Sequence, residues 1–510
     1  MARPEGPPPF RTLGEVLRFN ASQYPRDEAA TDGTARLSWL ELLQRAESAC
    51  AQFRNLGIRR GDRVAVVLPN QIETLVLYWA CALWGAIFVG ANPRLGFDDL
   101  RRILDHSRAA IAFLCESVDA AVVPDTMPSV VLTEKSAFGQ SFAASARLDD
   151  GDLPLILEND VFTIVYTSGT TGTAKGVVLD HRNLIWCATS TATSLGVTHD
   201  DVLLVAVQIT HIFGLSAAVL MAAIHAARCV LMREHSAGQA LDLCEWEGVT
   251  IHHGSPTMFA LELSAQRRAP RDLSKLRTGI IAAAPVEPDL VDAIRSVLHC
   301  DVQIAWGLTE TSPTVTITRD DDPFEERRAS VGRPLPGAEL RFDDVGGEYG
   351  EVLVRSPGVF QGYYDDAPAT AAAKSADGFF RSGDLGWLDD LGFLHLAGRL
   401  KEIIIRGGLH VYPDELEALI RRVPWVAAVT VLGIPDRVLG ERVCVCVATS
   451  SDPMPPRDLL GALRGAIEGR LADYKMPDLV VRVSEMPRSE GGKILKRRLR
   501  EDAIAKIAAQ

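Results

Sequence analysis

Residues 166–176 read Tyr166-Thr-Ser-Gly-Thr-Thr-Gly-Thr-Ala-Lys-Gly176 and follow directly on the apolar run Val161-Phe-Thr-Ile-Val165. Glycines let successive backbone N–H groups turn toward one point, which creates a nest for an anion. The hydroxyl groups along the stretch add neutral donors, and Lys175 adds a positive point charge. A polyphosphate is the ligand that this combination of groups suits.

The main alternative is the P-loop of nucleoside triphosphatases, which reads G-x-x-x-x-G-K-[ST] and joins a strand to a helix. Counted from Gly169, the second glycine of that motif falls on Ala174. The position for a hydroxyl residue after the lysine is Gly176, and the apolar residues that follow predict a strand. The sequence therefore predicts a phosphate-binding loop between two strands. A flexible Gly/Thr linker stays open as an interpretation, but it leaves the lysine unexplained.

Strands and helices alternate through the first two-thirds of the chain. Leu40–Leu56 and Phe97–Ile103 have helical spacing, whereas Val64–Leu68 and Ile111–Cys115 predict buried strands. This βαβ order predicts mainly parallel sheets that are covered by helices. Between Gly332 and Leu396, glycine, proline and aspartate separate short strands, which predicts a small antiparallel sheet or barrel.

The part of the chain after Gly398 predicts a compact α+β unit. Its elements are a helix over Pro413–Arg422, strands over Ala428–Leu432 and Arg442–Ala448, and a helix over Arg457–Leu471. Because side chains alternate along a strand, Cys444 and Cys446 are expected on one face. The Ser451–Pro456 segment predicts a loop.

Composition excludes several functions. The net charge of −13 argues against a nucleic-acid partner, since phosphate neutralisation needs a basic surface. The nine cysteines show no metal or disulfide framework, which favours reduced thiols and a cytoplasmic location. Two uncharged stretches, Thr74–Asn92 and Val202–Ala227, approach the length of a membrane span. Their glycines and polar residues favour a buried strand and helix instead, so membrane insertion is not expected.

Four further motifs follow the loop in order: Ala305-Trp-Gly-Leu-Thr-Glu-Thr311, Arg381-Ser-Gly-Asp-Leu385, Gly398-Arg-Leu-Lys-Glu402 and Pro487-Arg-Ser-Glu-Gly-Gly-Lys493. From about Leu13 to the end, the chain resembles the adenylate-forming superfamily of acyl-CoA synthetases, luciferases and nonribosomal-peptide adenylation domains. The resemblance implies a large N-terminal domain of two helix-covered, mainly parallel sheets plus a small β-barrel. It also implies a small, mobile C-terminal α+β domain, and hence an α/β protein.

The resemblance implies a nucleotide site. In it, Glu310 and Thr170 hold Mg²⁺, which prefers carboxylates together with substrate phosphates. Thr309 contacts the α-phosphate, and Trp306 stands where the family more often has tyrosine. The implied ATP contacts are Thr167, Ser168, Gly169, Thr170, Thr171, Gly172, Lys175, Ala283, Ala284, Pro285, Trp306, Gly307, Leu308, Asp384 and Arg399. Asp384 binds the ribose in this interpretation, although an aspartate in a glycine turn is more often a turn residue alone.

The resemblance also implies a moving catalytic lysine. Lys493 matches the family's C-terminal catalytic lysine, and Lys401 matches its hinge. Gly407 and Gly408 match residues that line the pantetheine tunnel of coenzyme A. The implied domains are residues 1–397 for ATP and acyl binding, 398–402 for the hinge and 403–510 for the mobile domain. His410 stands where the family commonly has asparagine.

The candidate acyl pocket is apolar. Its proposed lining residues are Ile209, His211, Phe213, Met258, Ala282 and Leu308. His211 is assigned to gating of the carboxylate site, although a lone histidine in an apolar stretch is more often a core residue. Gln208 replaces a common proline, and Ala282-Ala-Ala-Pro285 replaces the usual Gly-Gly-Ala-Pro. Because no Lys or Arg stands among these positions, a hydrophobic monocarboxylic acid is expected, with His253 and Gln208 available to a polar substituent.

These features predict ATP- and Mg²⁺-dependent formation of an acyl-adenylate, with release of pyrophosphate, followed by transfer to coenzyme A. Lys493 would offset the repulsion between carboxylate and α-phosphate. One alternative is transfer to a carrier protein's phosphopantetheine, or no transfer beyond acyl-AMP. Another, of a different class, is a catalytically silent adenylate-binding or acyl-transport protein. The expected partners are therefore a small carboxylic acid and coenzyme A or a carrier, with a monomer or homodimer as the assembly.

Overall fold

The computed structural model describes residues 10–133, 153–167, 175–346, 348–450, 458–468, 470–488 and 494–508. The chain divides into two compact units. The first comprises Met1–Glu339 and Val354–Phe380, and the second comprises Leu340–Leu353 and Arg381–Gln510. The second unit thus begins before the predicted hinge at 398–402 and includes residues 340–353 and 381–397 of the predicted N-terminal domain. The functional boundary at residue 398 stays a prediction.

The helices of the first unit are α1 Leu13–Gln23, α2 Trp39–Asn55, α3 Ile72–Trp84, α4 Phe97–Ser107, α5 His181–Ser194, α6 Met221–Ile224, α7 Ala237–Glu247, α8 Pro256–Arg268, α9 Pro288–Ala293, α10 Phe324–Ala329 and α11 Ala367–Ala372. Those of the second are α12 Pro413–Ile420, α13 Leu459–Ile467 and α14 Lys496–Ala508. Two π-helices cover Phe213–Leu220 and Ile294–Leu298. Short 3₁₀ turns cover Ala120–Val122, Thr309–Thr311, Leu400–Glu402 and Asp473–Lys475.

The strands are β1 Glu28–Thr31, β2 Arg36–Ser38, β3 Arg63–Val67, β4 Ile87–Gly90, β5 Ile111–Cys115, β6 Ser129–Leu132, β7 Val161–Thr167, β8 Lys175–Asp180, β9 Val202–Val205, β10 Arg228–Leu231, β11 Ile251–His252, β12 Thr278–Ile281, β13 Asp301–Trp306, β14 Thr316–Ile317, β15 Arg333–Pro334, β16 Glu339–Asp344, β17 Gly350–Arg355, β18 Gly362–Tyr363, β19 Phe380–Leu388, β20 Leu394–Arg399, β21 Ile404–Arg406, β22 Leu409–Val411, β23 Val426–Asp436, β24 Gly440–Thr449 and β25 Leu479–Val483.

Two large sheets form the first unit. A nine-stranded sheet has the order β15-β14-β13-β12-β11-β9-β10-β1-β2, and β13 through β1 in that order are parallel. A seven-stranded sheet has the order β18-β8-β7-β4-β3-β5-β6, and β7 through β6 are parallel. The near-continuous burial of β3 and β5 fits parallel strands that are covered on both faces. The predicted class of helix-covered, mainly parallel sheets is confirmed.

Capping residues mark where the helices begin and end. Ser38 caps α2: its hydroxyl oxygen accepts a hydrogen bond from the Glu41 amide, and the Glu41 carboxylate accepts one from the Ser38 amide. Gly85 ends α3 in the left-handed conformation. The stretch Thr74–Asn92 is therefore the buried helix and strand that its sequence predicts. Among the described residues, the longest apolar helices all fall short of what crossing a bilayer requires.

The second unit contains a four-stranded sheet with the order β16-β17-β19-β20, in the region predicted as a small sheet or barrel. Its other sheet pairs β22, β21, β24 and β23, and β25 pairs with β24. Cys444 and Cys446 share one face of β24 with Leu499 of α14, whereas Val445 packs on the other face with Leu463 of α13. The predicted common face of the two thiols is confirmed. All nine cysteines of the chain are buried and free.

Candidate active site

The phosphate-loop motif is bracketed by an antiparallel pair of strands. β7 and β8 pair along their length, and Thr167 lies opposite Lys175 at the end of the ladder. This arrangement confirms the strand–loop–strand prediction and excludes a P-loop, whose lysine opens a helix. Residues 168–174 lie outside the described part of the chain, and with them the predicted positions Ser168, Gly169, Thr170, Thr171 and Gly172. Thr167 and Lys175 are described, and both are partly exposed.

The segment after β13 holds Glu310. Gly307 is required there, because a Cβ at this position would lie 1.8 Å from the Pro313 carbonyl oxygen. The Leu308 amide donates to the Thr311 hydroxyl at 2.9 Å, and the Phe360 amide donates to the Glu310 carbonyl at 2.9 Å. These contacts fix the backbone of the Trp306–Thr311 motif. Trp306 and Thr309 are buried, whereas Glu310 is half-buried.

A residue that the sequence interpretation missed connects these two features. The Tyr363 hydroxyl donates to Glu310 Oε1 at 2.8 Å. The ammonium of Lys175 lies over the Tyr363 ring, 4.7 Å from its centroid. Burial raises the pKa of Tyr363 well above its ordinary value, and the neighbouring Glu310 carboxylate raises it further, so the hydroxyl keeps its proton. No periodicity marks Tyr363 as functional, because it reaches Lys175 only through the pairing of β18 with β8.

The Ala282–Pro285 segment follows β12. Ala283 has φ = 73°, in the left-handed region that glycine adopts without strain. Ala283, Ala284 and Pro285 are exposed, and Ala282 is half-buried. The alanine at 283 therefore carries its methyl group where the resemblance has glycine, at a backbone cost of about 1–2 kcal/mol.

The candidate acyl residues lie on several elements. Ile209 is buried in the turn after β9, and Phe213 is buried at the start of the π-helix that follows. The Phe213 amide donates to Nδ1 of the exposed His211 at 3.2 Å. Phe213 stacks on His253 with ring centroids 5.8 Å apart. His253 is fully buried, and its Nδ1 accepts the Ile280 amide at 2.8 Å. Burial lowers the pKa of His253 to about 3, so its imidazole is neutral at physiological pH.

The other candidate acyl residues, Met258, Ala282 and Leu308, lie on three further segments of the chain. Met258 is half-buried and packs against the apolar core beneath α8. Leu308 is also half-buried. The six predicted lining residues therefore lie on four separate segments of the first unit, and their common function as a pocket stays a prediction.

Asp384 and Arg399 belong to the second unit. They lie opposite each other on β19 and β20, and Asp384 Oδ1 is 2.7 Å from Arg399 Nε. The Asp384 side chain is 7% exposed and that of Arg399 is 43% exposed. The structure thus brings two predicted nucleotide contacts together as an ion pair.

The hinge motif forms a 3₁₀ turn over Leu400–Glu402, and Lys401 within it is exposed. The Lys496 ammonium at the start of α14 lies 2.6 Å from Glu402 Oε2. Burial raises the pKa of the nearby Glu417 to about 7, against the opposing effect of Lys496. Lys493, the predicted catalytic lysine, lies outside the described residues.

Gly407 and Gly408 form the two-residue turn between β21 and β22, with φ of 59° and 81°. Two consecutive positive φ values are the condition for the tight turn that fits a twisted hairpin. The contact of these two glycines with coenzyme A stays a prediction.

Comparison with known protein families decides the class. The profile of AMP-binding enzymes matches residues 17–364, and that of the AMP-binding enzyme C-terminal domain matches residues 415–493. The chain belongs to the AMP-binding enzyme family. As an AMP-binding enzyme it is an AMP-forming acid–thiol ligase that uses ATP, coenzyme A and a small carboxylic acid.

Several known proteins are similar over nearly the whole chain. A feruloyl-CoA synthase of an Amycolatopsis species is 34% identical, with 96% of this chain and 98% of the relative covered. A 3-[(3aS,4S,7aS)-7a-methyl-1,5-dioxo-octahydro-1H-inden-4-yl]propanoyl:CoA ligase of Mycobacterium tuberculosis is 33% identical, with coverages of 96% and 99%. The crystal structure of ATP-bound MatB from Rhodopseudomonas palustris has a TM-score of 0.86 at 27% identity, with coverages of 96% and 98%.

Proposed function

We propose that this AMP-binding enzyme converts a hydrophobic monocarboxylic acid to its acyl-adenylate and then to its coenzyme A thioester. The observation that carries the proposal is the cluster of Lys175, Tyr363 and Glu310 beside the ladder that brackets the Gly/Thr loop. A cation, a hydroxyl donor and a carboxylate in one place suit a magnesium polyphosphate.

Glu310 fits the role of Mg²⁺ ligand. Its Oε1 accepts the Tyr363 hydroxyl, and among the described residues its Oε2 makes no hydrogen bond. One carboxylate oxygen is therefore oriented by the protein and the other is available to a cation. Bound Mg²⁺ would supply positive charge to the departing pyrophosphate. We propose that Lys175, with the hydroxyls and amides of residues 167–172, binds the phosphates themselves.

The chemistry needs a further cation at the reacting atoms, because a carboxylate and an α-phosphate repel each other. We propose that Lys493 supplies it, and that Thr309 contacts the α-phosphate. Asp384 and Arg399 bind the ribose and its phosphate, and Trp306, Gly307, Leu308 and Ala283–Pro285 surround the base. No protein nucleophile is required, because positioning and charge stabilisation carry the step.

Thioester formation is proposed to follow a rotation of residues 403–510 about Lys401. This motion withdraws Lys493 and brings Gly407 and Gly408 to the thiol. Domain movements of this kind occur on a μs–ms scale. Coenzyme A is the proposed acceptor; a carrier protein is the alternative, and product analysis with each acceptor separates them.

The acid is proposed to have an apolar body, aliphatic, aryl or alicyclic. Ile209 and Phe213 are buried, and none of the six proposed lining residues is Lys or Arg. A second carboxylate would lack a cationic partner there and would pay for its desolvation. The relatives named for feruloyl and for alicyclic propanoyl substrates agree with a bulky apolar acid. We further propose a cytoplasmic enzyme, consistent with its nine free buried thiols, as a monomer or homodimer.

A panel of acids tests the proposal by ATP–pyrophosphate exchange with Mg²⁺, followed by mass spectrometry of the products with and without coenzyme A. Bulky aryl, alicyclic and medium-length aliphatic acids are expected to exchange, and small dicarboxylates are not. Lys493→Ala should abolish exchange and retain ATP binding. Lys506→Ala is the matched control, since among the described residues its ammonium donates a hydrogen bond to the Arg482 carbonyl and to no other group. Exchange restricted to small dicarboxylates, or full activity of Lys493→Ala, would contradict the proposal.

A further inference from the structure

The contacts of one tyrosine point to a positioning residue that the motifs do not contain. We propose that Tyr363 orients Glu310 for the metal and holds Lys175 apart from it, so that both charges stay available to ATP. The inference rests on the proposed roles of Glu310 and Lys175. It concerns two separable parts of the tyrosine, the hydroxyl and the ring.

Tyr363 is held firmly from several sides. It pairs with Val177 on β8, and its amide donates to the Thr370 hydroxyl at 2.8 Å. Its ring packs edge-to-face on Phe360, with centroids 4.9 Å apart. Gly362 allows the close approach of Thr370, because a Cβ at position 362 would lie 2.7 Å from the Thr370 side chain. The position of the ring is therefore set by the backbone pairing and not by its contacts with the two charged groups.

The same strand is joined to the end of the phosphate loop. The Tyr364 amide donates to the Gly176 carbonyl at 2.7 Å, and the Gln361 amide donates to the Val178 carbonyl at 3.0 Å. These bonds lie on either side of Tyr363 and connect its strand to the residue that follows Lys175. The hydroxyl of Tyr363 meanwhile contacts Glu310, which belongs to the segment after β13. Tyr363 thus connects two elements that are far apart in the sequence.

The hydroxyl has a definite effect on Glu310. It donates to Oε1, and a charge-assisted bond of this kind fixes the plane of a carboxylate. Oε2 then keeps one direction and does not rotate between alternatives. A metal ligand that is already oriented loses less entropy when the cation binds. Groups that hydrogen-bond to a metal ligand commonly have this orienting effect.

The ring has a different effect on Lys175. A cation over an aromatic face is attracted by the ring, and the ammonium lies 4.7 Å from the centroid. Within the described ranges, no ion pair joins Lys175 to Glu310, although each contacts the same tyrosine. Removal of the ring would let the two opposite charges approach, and a direct pair would withdraw both from phosphate and metal. The ring therefore acts as a spacer as well as a support.

The test measures ATP binding to the full chain by calorimetry, in Mg²⁺ and in EDTA, and Mn²⁺ binding to the ATP complex by electron paramagnetic resonance. Tyr363→Phe keeps the ring and loses only the hydroxyl. We expect its Mn²⁺ affinity, and the gain in ATP affinity from Mg²⁺, to fall about tenfold, as for one lost bond to a charged group. ATP affinity in EDTA should stay within about twofold. Tyr363→Leu should weaken ATP binding in both conditions.

Tyr364→Phe is the matched control, since it removes a neighbouring hydroxyl that contacts neither charge, and it should behave as the wild type. Thermal unfolding of each variant guards against misfolding, and Tyr363→His, with an aromatic donor, should restore part of the metal affinity. Unchanged Mn²⁺ binding by Tyr363→Phe would overturn the inference. Glu310→Gln in the same assay tests the proposed metal site independently of the role of Tyr363. If this variant keeps full Mn²⁺ affinity, the assignment of Glu310 to the metal is wrong.

Discussion

Asp384→Asn distinguishes a nucleotide-binding carboxylate from a purely structural one. In the structure Asp384 is nearly buried and its Oδ1 lies 2.7 Å from Arg399 Nε, whose side chain is 43% exposed. An ion pair with one exposed partner contributes at most about 1 kcal/mol. If that pair were the whole role of Asp384, the substitution would change the apparent affinity for ATP by at most about fivefold.

A carboxylate that accepts the ribose hydroxyls gives a larger effect. Hydrogen bonds to a charged acceptor contribute about 1.5–3 kcal/mol each. Asparagine keeps one acceptor oxygen but loses the charge, so a loss of about 2–3 kcal/mol is expected. That corresponds to an increase of about 30- to 150-fold in the Michaelis constant for ATP.

The assay compares ATP with 2′,3′-dideoxy-ATP in pyrophosphate exchange, for the wild type and the variant. The dideoxy nucleotide lacks the hydroxyls, so Asp384→Asn should change its Michaelis constant by less than about fivefold. Asp390→Asn, at an exposed position in the turn after β19, is the control and should affect neither nucleotide. An equal loss for both nucleotides would show that Asp384 acts through Arg399 and the fold, and the ribose assignment would be wrong.

Three other predictions concern the first unit. Gly307→Ala places a Cβ 1.8 Å from the Pro313 carbonyl oxygen and should reduce pyrophosphate exchange at least about tenfold by displacing the Trp306–Thr311 motif. Gly238→Ala, in helix α7 where a Cβ would meet only an ordinary contact at 3.8 Å, is the fold control. Burial lowers the pKa of His181 from 6.5 to about 4. As the pH falls, the unfolded chain therefore takes up this proton before the folded chain does, and the free energy of unfolding decreases between about pH 6.5 and pH 4. Urea titrations should show a loss of about 1.4 kcal/mol by pH 5.5 in the wild type, and this loss should be absent in His181→Gln. Arg277→Met removes a two-point ion pair with the nearly buried Asp201 and the bonds from Arg277 to the Leu195 and Gly196 carbonyls. Because the arginine is partly exposed, the free energy of unfolding should fall by about 1–2 kcal/mol, and an unchanged value would show that the carboxylate finds other partners.

The α/β class, the order of the main elements and the family could be predicted from the sequence. Ile111–Cys115 is a strand with the predicted bounds, and the predicted helix at Leu40–Leu56 is α2, shifted by one residue. These elements are predictable because a strand buried on both faces needs a continuous apolar run, and a helix needs apolar residues at its own period. The helix predicted over Arg457–Leu471 is shorter in the structure, where the described α13 covers Leu459–Ile467. Helix ends depend on capping and tertiary contacts, which a periodic pattern does not contain.

The chemistry of the candidate site was only partly contained in the sequence. A Gly/Thr-rich loop with one lysine is by itself a phosphate motif, because backbone amides and a point charge are local properties. The pairing of β18 with β8 is not local: it joins Tyr363 to residues nearly two hundred positions earlier. Only that pairing places one tyrosine against both Lys175 and Glu310, and only the β19–β20 register places Asp384 on Arg399. The sequence determined which groups are present, and long-range strand pairing decided which of them meet.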